Sequence, residues 1–138
     1  GNGPLGGVLV DAGRDGTVRG YVNNPTIELL PNKIGKLDVG KAVGSQGHLC
    51  IVRDVGYGYP YSSTVELVSG EIGDDITYYL VTSEQTPSAL ILGVFVDQKG
   101  IQAAGGLLLQ VMPKLSIDEE YYQRLRRNIM NNINKHWS

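Results

Sequence analysis

Apolar residues in this chain come in short runs, alternating with polar positions or unbroken, and glycine, proline and asparagine separate them, which is the rhythm of strands and hairpins. Residues 7–12 form the first run, Asp15-Gly16 supplies turn chemistry with Gly16 as the structural turn residue, and residues 17–22 alternate Thr17, Arg19 and Tyr21 against Val18, Gly20 and Val22. A β-hairpin is predicted there. Asn23-Asn24-Pro25 ends it, because Pro25 disfavours helical backbone at Asn24. Pro31-Asn32 marks a further loop, and residues 33–47 are polar and glycine-spaced, with at most a turn of helix at 38–43.

Residues 48–55 and 63–69 are strand candidates, joined by a loop over 56–61 in which Tyr57, Tyr59 and Tyr61 alternate with Gly56, Gly58 and Pro60. Residues 71–85 place Ile72, Ile76, Tyr79, Leu80 and Ser83 at helical intervals, with acids early and Thr86-Pro87 closing the run, which predicts a helix. Residues 89–96 are continuously apolar, 97–100 read as a turn and 101–112 return, giving a further hairpin expected to be buried on both faces. Gly105-Gly106 within the returning strand predict a bulge or a close backbone approach. At the end, Ser116-Ile117-Asp118-Glu119 has the form of a capping box, and Ile117, Tyr121, Leu125, Ile129 and Ile133 then recur every fourth residue. That spacing lags the helical period by about 40° per step, so the apolar stripe winds partly round a C-terminal helix.

The elements add up to an α+β fold: a single domain of β-hairpins in mixed or antiparallel sheets, packed with helices and ending in an amphipathic helix. The organisation expected is a core over residues 1–113 and a helical segment over 114–138. A chain of 138 residues, 41% hydrophobic and 19% charged, suffices for one self-supporting core. The 19 glycines show no fixed period and read as turn punctuation.

Twelve basic against fourteen acidic residues leave a net charge of -2, which provides no electrostatic footprint for nucleic acid or an anionic membrane. No apolar run approaches the length of a membrane span and no signal peptide is evident, so a soluble, cytoplasmic protein is expected. Cys50 is the single cysteine, which excludes an internal disulfide framework and a cysteine-rich zinc site and fits a reducing compartment. The chain opens on Gly1 and enters a strand within a few residues, which points to a piece of a longer polypeptide.

Catalytic ingredients are thin. His48 and Cys50, two apart on a predicted strand, share a face and could pair thiol with imidazole, although a cysteine in an apolar strand reads more simply as core filling. Two distant histidines and one cysteine give no zinc spacing, and Asp74-Asp75 and Glu119-Glu120 are explained as charges complementing helix dipoles. The glycines of residues 1–7 lack the Lys-Ser/Thr and the strand–helix context of a phosphate loop. What remains is apolar surface. Tyr57, Tyr59 and Tyr61 either cover the edge of the chain's own sheet or contact an apolar partner, and residues 90–96 read first as core.

Ser83-Glu84-Gln85-Thr86-Pro87-Ser88, followed by Ala103-Ala104-Gly105-Gly106-Leu107-Leu108-Leu109-Gln110-Val111-Met112-Pro113, resembles the redox-regulated bacterial holdase family, the heat-shock chaperonins of thirty-three kilodaltons. Weaker matches follow the family's order: Gly1-Asn2-Gly3-Pro4-Leu5, Val18-Arg19-Gly20-Tyr21-Val22, Gly35-Lys36-Leu37-Asp38-Val39 and Ser69-Gly70-Glu71-Ile72-Gly73-Asp74-Asp75. The resemblance covers residues 1–113 and fades beyond Pro113.

It implies the N-terminal α+β domain of an ATP-independent chaperone that binds unfolding or misfolding client proteins through apolar surface, with no active site and no bound cofactor in this chain. In the family a C-terminal domain holds zinc through four cysteines that become disulfides on oxidation; that domain, and a first strand with helices ahead of Gly1, are expected to be missing here. Cys50 lies outside the family's zinc motif. Client contact is assigned to Tyr57, Tyr59, Tyr61, Val94 and Val96, and a homodimer formed by domain swapping is a further expected partner state. The alternatives are an inert fragment whose terminal helix seals the apolar surface, and a small hydrolase using Cys50.

Overall fold

The computed structural model describes residues 1–112 and 119–136. Its elements run β1 (Val8–Ala12), β2 (Val18–Val22), α1 (Val39–Val43), β3 (His48–Arg53), β4 (Tyr61–Glu66), α2 (Ile72–Thr82), β5 (Ser88–Asp97), β6 (Gly100–Gln110) and α3 (Glu119–His136). The class is α+β. The strands form three separate two-stranded sheets, β1–β2, β3–β4 and β5–β6, every one antiparallel and every one a hairpin of sequence neighbours. Two compact units divide between Tyr79 and Leu80, inside α2.

In the first unit β1 and β2 pair from Val8 opposite Val22 to Ala12 opposite Val18, and Gly16 turns the chain with φ 85°. Beyond them a strap of main chain lies along α1: the Gly3 N–H donates to the Val43 carbonyl at 2.8 Å and the Leu5 N–H to the Ala42 carbonyl at 3.0 Å. These bonds satisfy carbonyls that the end of a short helix leaves open. Asp38 caps the other end, its Oδ1 accepting the Lys41 N–H at 3.2 Å. The packing here is of backbone on backbone. Gly44, at φ 84°, sits so close to the strap that a Cβ would strike Asn2 Oδ1 and the Gly3 nitrogen, and a Cβ on Gly70 would come within 2.6 Å of the Gly44 carbonyl oxygen.

Asp75 ties the loop before α2 to the helix. Its buried carboxylate, 3% exposed, accepts the Val68 N–H at 2.7 Å and the Ser69 N–H at 3.1 Å through the same oxygen. Ala42, Gly70 and Tyr79 are the other buried positions of this unit among the described residues.

In the second unit α2 stops at Thr82, three residues short of the sequence expectation. The Thr86 N–H folds back to the Leu80 carbonyl at 3.0 Å, and Gln85 adopts a left-handed φ of 52° that only glycine takes without strain. Ser88 and Ala89 are buried at the base of β5, where Ser88 Oγ accepts from Gln110 Nε2 at 3.1 Å and donates to the Thr86 carbonyl at 2.8 Å.

Three expectations are corrected. The β5–β6 hairpin is not buried on both faces: Leu90 and Ile91 are half-buried, and from Leu92 outward its large side chains are exposed. Continuous apolar sequence requires both faces to be covered, but within the described residues that cover ends near the base. The register shift falls between Phe95 and Val96 and not at Gly105-Gly106, because Gln102 is the extra residue and its amide bonds Asp97 Oδ1 at 3.0 Å. Gly106 does meet a close approach, since a Cβ there would lie 2.8 Å from Leu92 Cδ2, while Gly105 has open space. Tyr61 is the first residue of β4, paired with Arg53, and not part of the loop. The proposed capping box at 116–119 and the stripe's Ile117 lie outside the described residues.

Replacing Asp75 with alanine orphans two part-buried N–H donors, and is expected to cost about 2–4 kcal/mol in urea unfolding while Asp74→Ala costs well under half as much.

Candidate functional site

Apolar side chains on open hairpin faces are the feature to be explained. On β5–β6, successive side chains point to opposite faces, so Leu90, Leu92, Val94 and Val96 share one face with Leu108 and Ala104 opposite them. Ile91 and Phe95 share the other with Leu107 and Ala103, and between them Gly93 stands directly opposite Gly105. Val94 is 53% and Phe95 63% exposed. From Gly100 to Gln110, β6 contains no charged residue and no proline.

The tyrosine loop lies on the first unit, and Val94 and Val96 on the second. Gly56 and Gly58 take φ of 87° and 70°, and the Gly56 N–H is anchored on Asp54 Oδ1 at 2.8 Å. This geometry holds Tyr57 and Tyr59 in the open, 82% and 98% exposed, with Tyr61 following at the start of β4. Such rings present an apolar body with a wet hydroxyl. Sequence reasoning missed a third open surface. Val8, Leu9, Val10, Val18 and Tyr21 are all exposed on β1–β2, and the alternation that marks these strands does not reveal whether another layer covers them.

The catalytic alternative has no geometry to support it. His48 pairs with Glu66 and Cys50 with Thr64 on one exposed face, and the polar neighbour of the Cys50 thiol is the Ser62 hydroxyl at 4.0 Å, not an imidazole. Among the described residues no three His, Cys, Asp or Glu side chains converge on a point that could hold a metal ion. The donors among the described residues therefore do not fit a zinc centre. Asp75, which the sequence assigns to the helix dipole, is a structural acceptor.

An open concavity of about 570 Å³ at the β1–β2 turn includes Asp11, Arg14, Asp15, Thr17 and Arg19 in its lining. Two of its charges meet, Arg19 Nε donating to Asp11 Oδ2 at 2.8 Å, while Asp15 Oδ1 accepts the Thr17 hydroxyl at 2.7 Å and the Thr17 N–H at 3.1 Å. The Thr17 hydroxyl first, then its N–H, hold the Asp15 carboxyl below its ordinary value.

The family model for the Hsp33 protein matches residues 1–136. This chain belongs to the Hsp33 family. The match takes in α3 as well as the hairpins. Relatives include the 33 kDa chaperonin of Trichodesmium erythraeum (strain IMS101), 80% identical over 129 residues, which are 94% of this chain and 42% of that protein. The 33 kDa chaperonin of Synechocystis sp. (strain ATCC 27184 / PCC 6803 / Kazusa) is 77% identical over 119 residues, 86% of this chain and 39% of its own length. The crystal structure of the 33 kDa chaperonin (heat shock protein 33 homolog) from Thermotoga maritima superposes with a TM-score of 0.85 at 46% identity, over 95% of this chain and 44% of that one. The chain thus spans about two fifths of the length of the relatives it matches. Each of these relatives is named a chaperonin. No helix among the described residues is long and apolar enough to cross a membrane.

The lowered Asp15 carboxyl makes a sign prediction: its contribution to hairpin stability is complete above the ordinary aspartate range and is lost as pH falls through the lowered folded value. In a carbon-detected NMR titration, Thr17→Val should move the Asp15 midpoint upward, towards that of an unbonded aspartate.

Proposed function

We propose that this chain is a holdase module: it captures unfolding or misfolding proteins on uncovered apolar strand faces and keeps them from aggregating, without ATP and without a bound cofactor. The carrying observation is the exposed apolar surface of β5–β6 from Leu92 outward, on a chain of the Hsp33 family. A client's apolar segment and this surface both leave water on contact, and that transfer alone is favourable by about 25 cal/mol per Å² of apolar area. No bond is made or broken, so no nucleotide is needed.

Val94 and Val96 would contact the client on the second unit, and Tyr57, Tyr59 and Tyr61 on the first. The tyrosines suit clients of mixed polarity, since each hydroxyl can stay hydrated while the ring covers an apolar residue. Charge plays a small part. A net charge of -2 neither repels most proteins nor attracts nucleic acid or anionic lipid, so the proposed partners are client proteins in the cytoplasm and, by domain swapping, a second copy of the chain. With Cys50 as its single thiol, the chain has no internal disulfide through which oxidation could switch it.

The test is light scattering from a heat-denaturing client in the presence of a several-fold excess of the purified chain, reduced and oxidised. Equal suppression in both states is expected. A chain that suppresses nothing overturns client binding, and suppression confined to the oxidised sample overturns the absence of a switch.

Charging the open face by Val94→Asp with Val96→Asp should weaken suppression several-fold and dim the fluorescence of an apolar dye, with the circular dichroism spectrum retained. Tyr57→Ser with Tyr59→Ser measures the first unit's share in the same assay.

A further inference from the structure

The strap along α1 carries the only Asn-Gly pair in the sequence, Asn2-Gly3. Asparagine before glycine is prone to attack by its own main chain, because no side chain hinders the glycine nitrogen. In that reaction the Gly3 nitrogen bonds to Asn2 Cγ and gives up its proton, the Cγ–Nδ2 bond breaks and ammonia leaves. Water then opens the cyclic imide at one of its two carbonyls. One opening gives aspartate; the other gives isoaspartate, in which the main chain runs through the former side chain.

In the folded chain both reacting groups are held. The Gly3 N–H donates to the Val43 carbonyl at 2.8 Å. The Asn2 amide is clasped at both its atoms by Gln46: Oδ1 accepts the Gln46 N–H at 3.1 Å, and Nδ2 donates to Gln46 Oε1 at 3.3 Å. Ring closure needs the carboxamide to swing over the Gly3 nitrogen, and that motion breaks all three hydrogen bonds. Asn2 is nevertheless exposed, so water and base reach it freely and only the strap's bonds protect it.

We propose that Asn2 is a deamidation site gated by the opening of the strap from α1. The product does not close the gate again. Either acid loses the Nδ2 donor that faces Gln46 Oε1, and isoaspartate also adds a carbon to the main chain where Gly44 leaves no room even for a Cβ beside Asn2 and Gly3. A transient opening is thereby recorded as a permanent one. Each chain carries a chemical mark of having partly unfolded, independent of its client binding.

The experiment incubates the full chain at mildly alkaline pH, folded and in urea, and follows the amide-to-acid mass gain on the N-terminal peptide and its isoaspartate content. Conversion is expected in urea and is expected to be at least about tenfold slower in the folded chain, the ratio reporting the local opening equilibrium. Gly3→Ala, used only in urea because its Cβ would strike the Ala42 carbonyl in the fold, should nearly abolish conversion and so assign it to this pair. Gln46→Ala, shown to be folded by circular dichroism, should convert several-fold faster than the parent under native conditions. Equal rates in the folded chain and in urea overturn the gate, and no conversion in urea overturns the site. A folded Gln46→Ala chain, which keeps the N–H bond and loses only the one to Gln46 Oε1, overturns the side-chain half of the clasp if it converts at the parent rate; should that variant not fold, hydrogen exchange at Gly3 in the parent takes its place, with exchange as fast as in urea counting against the gate.

Discussion

A strand can satisfy its backbone with one neighbour, but its side chains need a second layer, and these two requirements are met to different extents here. Each of the three hairpins completes the inward-facing hydrogen bonds of its own pair. None gains a third strand among the described residues. A lone hairpin is at best marginally stable in water, so the hairpins depend on what happens at their bases. Ser88 and Ala89 are buried at the foot of β5, and exposure rises along the strand towards Asp97.

The tight places in the chain are made of backbone and short polar side chains, with few large apolar ones. Gly44 and Gly70 let main chain approach main chain, Asp75 gathers two N–H groups on one oxygen, and Gln85 accepts a left-handed turn so that the chain can leave α2 and enter β5. This division suits the proposed client binding. Hydrogen-bonded loops fix the geometry of the feet, and the apolar strand residues are left over for contacts made with something else.

Much of this was legible in the sequence, for local reasons. Asp15-Gly16 and residues 97–100 are turn signals, and both hairpins they join lie where alternation or continuity of apolar residues put them. The α2 helix was legible from Ile72, Ile76, Tyr79 and Leu80, but its end was not, because the return of the Thr86 N–H to Leu80 depends on a single strained residue that composition does not mark. Tyr61 reads as loop because it continues the alternation of tyrosine with Gly56, Gly58 and Pro60, although its partner Arg53 lies in a predicted strand. The two glycines suggest a bulge, but the extra residue is Gln102, whose side-chain hydrogen bond to Asp97 is a contact between strands. Exposure was the least legible property. An apolar residue shows that it avoids water, and nothing in its own identity shows which molecule supplies the cover.

The uncharged length of β6 has a colloidal consequence. Natural edge strands are usually guarded by lysine, proline or a bulge against pairing with copies of themselves, and from Ala103 to Gln110 this strand has none of these. A net charge of -2 adds little long-range repulsion between molecules. Under the proposed function, self-association and capture of other polypeptides would draw on the same edge, and dilution would shift the balance away from the first.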